Sequence, residues 1–144
     1  MVRIFSMVFS LVAAVCVVAA PMKTRQTGDL DCNLARLKII FDVAGTQQLV
    51  SQINATDLST ASAVAVAQTG LQSVNGAIQV ILAAIFSGQT APANFRDQVE
   101  AGLNLANSAL SNITDPSLNA TVTAARTRLL TAGADGDMVV AACK

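Results

Sequence analysis

Residues 58–95 read LSTASAVAVAQTGLQSVNGAIQVILAAIFSGQTAPANF, without one charged side chain. Val64, Ala67, Leu71, Val74, Ile78, Ile81 and Ile85 recur at alternating steps of three and four, the spacing of one face of an α-helix. Asp57 or Ser59 is placed to cap this helix and Ser87-Gly88 to end it. Gln68, Gln72, Asn75 and Gln79 form a neighbouring stripe suited to solvent. The Asn75-Gly76 pair is also a turn signal. The apolar spacing passes through it in phase, however, and a glycine inside a helix costs only about 1 kcal/mol relative to alanine. One continuous helix is therefore predicted. Its last two turns, Ile78 to Phe86, are apolar almost all round. Such a segment is buried or faces a partner or ligand. No uninterrupted apolar run here reaches the roughly 20 residues that span a bilayer, so no transmembrane segment is expected.

Amphipathic segments flank this helix and should pack on it. Before it, a helix is predicted from about Asp29 to Ile53. Leu30, Leu34, Leu37, Phe41 and Ala44 form its apolar stripe, continued after a shift by Leu49, Val50 and Ile53. Arg36, Lys38 and Asp42 fall off that stripe and should be solvated, and Gly45 is a point for a kink or a break. After it, Pro92 stands near the start of a third helix, whose face is Phe95, Val99, Leu103, Ala106, Leu110 and Ile113. Gly102, Ala106 and Ala109 line an edge along which another helix can come close. Asp115-Pro116-Ser117 opens a fourth helix carrying Leu118, Val122, Ala125, Leu129 and Ala132. Gly133 is placed to cap it, and Asp135-Gly136-Asp137 reads as a turn. Ala134 to Lys144 then forms one more short helix or lies against the bundle. Gly70–Ile78 echoes Gly102–Leu110, which either a duplicated helical hairpin or the shared composition of two alanine-rich helices of one heptad pattern explains.

The first 20 residues have the three parts of a secretory signal: Arg3, the apolar run Ile4 to Val18, and small residues at Val17-Val18-Ala19-Ala20. Cleavage after Ala19 keeps Pro21 away from the scissile bond. The expected organisation is thus a signal peptide over 1–19, a loose leader over 20–28 and a single domain over 29–144. A secreted, extracellular protein meets an oxidising environment. Of the three cysteines, Cys16 lies in the signal, which leaves Cys32 and Cys143 to pair. Their disulfide closes a loop of roughly 110 residues, worth about 4–5 kcal/mol in the chain-entropy model. Asn54-Ala-Thr56, Asn112-Ile-Thr114 and Asn119-Ala-Thr121 fit the N-glycosylation pattern, at or beside connections. The fold class is therefore all-α: an antiparallel up-down bundle of about four helices, closed by one disulfide near the chain ends. Both cysteines then lie at one end of the bundle, and Asn54, Asn112 and Asn119 at the other.

Composition bounds the chemistry. Hydrophobic residues make up 53% of the chain and charged residues 12%, which argues against disorder. The formal net charge is zero, so no attraction to nucleic acid is expected. There is no His, Trp or Tyr. Without His, the Ser-His and Cys-His nucleophile pairs are excluded, and two cysteines alone make a poor metal site. Asp57, Asp97, Asp115 and Glu100 read as helix caps or helix-start charges rather than as an acid–base pair. Neither catalytic residues nor a cofactor or metal is expected. The sequence points to a non-enzymatic binding protein for a hydrophobic ligand or a protein partner. The residues assigned to that surface are Ile78, Ile81, Leu82, Ile85 and Phe86, with Phe41 and Phe95 nearby; filling the core is the other reading of the same residues. The alternative function is a structural or adhesive matrix or coat protein, self-associating through Leu58 to Phe95.

Overall fold

A computed structural model describes residues 30–143. The signal and leader assignments fall outside the described residues. Among the described residues four helices run in order: α1 Leu30–Ser51, α2 Leu58–Phe86, α3 Ala93–Ser111 and α4 Asn119–Ala142, the last preceded by a 3-10 turn at Pro116–Leu118. No strand occurs among the described residues. The fold is all-α, as the spacing implies.

The helices pack mainly as two antiparallel pairs, α2 with α3 and α1 with α4, joined by lighter contacts between α1 and α2 and between α3 and α4. In the first pair the apolar phase is the one read from the sequence. Ala67, Leu71 and Val74 of α2 and Leu103, Ala106 and Leu110 of α3 are buried together. The helices approach until their backbones touch: a Cβ on Gly70 would stand 2.7 Å from the Gly102 carbonyl oxygen, and a Cβ on Gly102 2.8 Å from that of Gly70. No side chain fits between them, so glycine is required at both positions. The two echoing segments of the sequence thus meet at their leading glycines. Gln98 of α3 donates to the Ser73 hydroxyl at 3.1 Å nearby.

α2 runs unbroken through Asn75-Gly76. Asp57 caps it by accepting from the Thr60 amide at 2.8 Å and the Thr60 hydroxyl at 2.7 Å. Hydrogen bonds from the Ser59 hydroxyl first, then from Thr60, hold the Asp57 carboxyl well below the usual carboxylate range. Gly88, at φ 74°, takes the left-handed conformation that turns the chain out of the helix.

The second pair departs from the sequence reading. Cys32 and Cys143 are bonded, with Cα atoms 5.1 Å apart. The buried face of α1 is Cys32, Ala35, Val43, Thr46 and Val50, while Leu30, Leu34, Leu37, Phe41 and Ala44 are exposed. The stripe expected to pack is the one turned outward. The disulfide explains the rotation. Cys32 has to face α4, and residues at steps of three and four from it (Ala35, Ile39, Val43, Thr46, Val50) follow it inward. Arg36 and Asp42, expected in solvent, are half-buried. Gly45 does not split the helix. It lies under the guanidinium of Arg128, which a Cβ there would strike, and Arg128 pairs with Asp42 at 3.6 Å.

α4 is also longer than expected. It passes through Gly133 and through Asp135-Gly136-Asp137 to Ala142, so Gly133 is not its cap and the turn does not form. Buried Leu129, Ala132 and Asp135 stay in helical phase across Gly133. Burial on one face and the disulfide at the end outweigh the small cost of two helical glycines. Asp115 accepts from the Ser117 amide at 2.8 Å and so caps the 3-10 turn that leads into α4.

Ile53 and Ile113, beside Asn54 and Asn112, enter the same core as Val50 and Val122. The α1–α2 and α3–α4 connections therefore share one end of the bundle and the disulfide closes the other, which is the up-down topology. Asn54, Asn112 and Asn119 are all exposed.

Candidate functional site

The residues assigned to a ligand or interface divide between two surfaces. At the end of α2, Ile85 is buried, Ile78, Ile81 and Leu82 are half-buried, and Phe86 is exposed. Phe95, in the first turn of α3, is half-buried. Most of this group seals the end of the α2–α3 pair, with Val80 and Phe86 left in the open. By length and composition alone α2 qualifies to cross a membrane, its most apolar 18-residue window having a mean hydropathy of 1.4. In the fold, one face of α2 is used by α3, and Gln68, Gln72 and Gln79 are exposed on it.

Phe41 belongs to the other surface. On α1, Leu30 is 78% exposed, Leu34 49%, Leu37 50% and Phe41 66%. Spaced at four, three and four residues, they form one continuous stripe along the outer side of the helix. A groove of about 410 Å³ runs between this stripe and the end of α4, lined by Asp31, Leu34, Lys38, Met138 and Ala141. Asp31 and Lys38 are exposed at its rim. Arg36, on the flank of the helix, donates to Asn33 Oδ1 at 3.3 Å, and partial burial lowers its guanidinium pKa from the ordinary value.

A second groove, about 290 Å³, lies between α3 and α4, with Glu100, Asn104, Asn107, Leu130 and Asp137 on its walls. Arg126 Nε donates to Asn107 Oδ1, on its wall, at 3.1 Å, tying α4 to α3. Buried Thr46 and Thr60 have local roles, Thr46 donating to the Asp42 carbonyl at 2.7 Å and Thr60 to its cap.

What these surfaces offer is apolar contact with charges at the edge. The α1 stripe is the most exposed of them. Reading the sequence by apolar period alone missed it, because the strongest stripe was assigned to the core. The available signal was Cys32: a cysteine committed to a disulfide fixes which side of its helix faces inward. The chain matches no family model, no curated protein and no solved structure.

Proposed function

We propose that the mature protein is a secreted, non-enzymatic helical binding module that works by covering the outer face of α1 with another protein surface. The observation that carries this is the stripe Leu30, Leu34, Leu37 and Phe41, half to three-quarters exposed on a helix whose other side is packed and disulfide-bonded. With half to three-quarters of each of these side chains still in water, a partner surface that covers them recovers roughly 1–2 kcal/mol for each. Contiguous exposed apolar patches on small proteins mark interaction sites. The exposed sequon asparagines are at or beside the connections at the opposite end, so glycans there leave the stripe accessible.

The test is native mass spectrometry of the protein purified from its source, with Leu37→Glu alongside. Added protein mass, or copies of the chain, lost in Leu37→Glu is the expected result. A co-purifying lipid mass retained by Leu37→Glu makes the protein a carrier and contradicts the reading, as does a bare monomer in both.

A further inference from the structure

The α1 stripe carries a pattern that complements itself. Written as a heptad, Leu34 and Phe41 take the a positions and Leu30 and Leu37 the d positions of a coiled-coil seam. The buried residues Cys32, Ala35, Val43, Thr46 and Val50 all fall at b, c or f, the side away from that seam. Asp31 and Lys38 are successive e positions, both exposed and both on the wall of one groove. Seven residues apart, they are separated by about 10 Å along the helix axis. That is too far for them to pair with each other.

We propose that α1 binds α1 of a second copy, antiparallel, about a two-fold axis between Leu34 and Leu37. This rests on the reading of the stripe as a protein-binding face and names the partner. The axis sets Leu34 against Leu37 of the second copy and Leu30 against its Phe41. In an antiparallel seam a faces d, so e meets e. Asp31 of each copy then meets Lys38 of the other, giving two symmetry-related ion pairs. A parallel seam sets g against e, which brings Lys38 to Asn33 and joins no opposite charges. The charge pattern therefore selects the antiparallel arrangement. The contact is isologous and closes at two copies. Its seam is short, about 17 Å from Leu30 to Phe41, so it belongs at the small end of protein interfaces and dissociates on dilution. Met138, on the same groove, extends the apolar area beside the ion pairs.

Sedimentation equilibrium of the mature, disulfide-bonded protein tests this. A reversible monomer–dimer equilibrium is expected, abolished by Leu37→Glu. Lys38→Glu alone and Asp31→Lys alone each put like charges together at both pairs, and each should weaken the dimer about tenfold. Mixing those two variants restores opposite charges at both pairs, so the mixture should dimerise at least as well as the original protein. Circular dichroism confirms that each variant is folded. A monomer at every concentration, a dimer indifferent to Leu37→Glu, or a mixture as weak as its components overturns the proposal. A monomer that still loses a different protein's mass on Leu37→Glu in native mass spectrometry overturns self-pairing alone. A monomer with no such loss overturns the binding reading as well.

Discussion

The two helix pairs are held by different means, and the difference shows in which side of each helix faces in. α2 and α3 meet through small residues, Gly70 against Gly102, with Ala67, Leu71, Leu103 and Ala106 around them. Their contact follows the apolar face of each helix, so the strongest apolar stripe is also the one turned inward. α1 and α4 are joined at one end by a covalent bond. That bond fixes the rotation of α1, and the stripe richest in leucine is left outside. A covalent constraint worth several kcal/mol decides the phase where the apolar pattern alone would have decided it otherwise.

Breaking that constraint should give the largest effect. Replacing Cys32 and Cys143 together with serine reopens a loop spanning 111 positions, at an expected loss of about 4–5 kcal/mol, read by urea unfolding. In the same variant α1 is free to turn. Protection of its amides from hydrogen exchange should fall well before that of α2 and α3.

The first pair should answer to packing instead. Leu71→Ala removes a side chain 1% exposed and should cost about 2–5 kcal/mol. Ile81→Ala, half-buried at the end of the pair, should cost roughly 1 kcal/mol. Gly102→Ala adds one methyl where backbone and Val74 already touch, for about 1–3 kcal/mol. Equal values for Leu71→Ala and Ile81→Ala would show that the end of α2 is as much core as its middle.

Much of this was legible beforehand. The continuity of α2 through Asn75-Gly76, its cap at Asp57, the pairing of Cys32 with Cys143 and the up-down order all follow from spacing and turn chemistry. Two features were not. Gly133 and Gly136 read as a helix end, because local propensity cannot register the long-range hold of α1 and the disulfide on α4. The outward turn of Leu30, Leu34, Leu37 and Phe41 was missed because apolar period identifies a face without saying what it faces. On the candidate site the sequence therefore named Phe41 and left out its stripe neighbours.

A smaller effect belongs to the cap of α2. The Asp57 carboxyl titrates lower in the folded chain than in the unfolded one. Its contribution is therefore fully present above the unfolded carboxylate pKa, near 4, and is lost as pH falls through the folded value. Asp57→Ala should lower Tm at pH 7, and the gap to the original protein should narrow steadily below about pH 4. A gap independent of pH would show that the Ser59 and Thr60 hydrogen bonds do not stabilise the ionised form.

Two adjacent residues report the rotation of α1. Leu34 and Ala35 are about 100° apart around the helix. At concentrations low enough to keep the protein monomeric, Leu34→Gln and Ala35→Gln are compared by thermal unfolding. Leu34→Gln, on the exposed stripe, should change stability by less than about 0.5 kcal/mol. Ala35→Gln, forced between α1 and α4, should cost about 1–3 kcal/mol or more. The reverse order, with Leu34→Gln strongly destabilising and Ala35→Gln neutral, would mean that the leucine stripe is the packed side of α1.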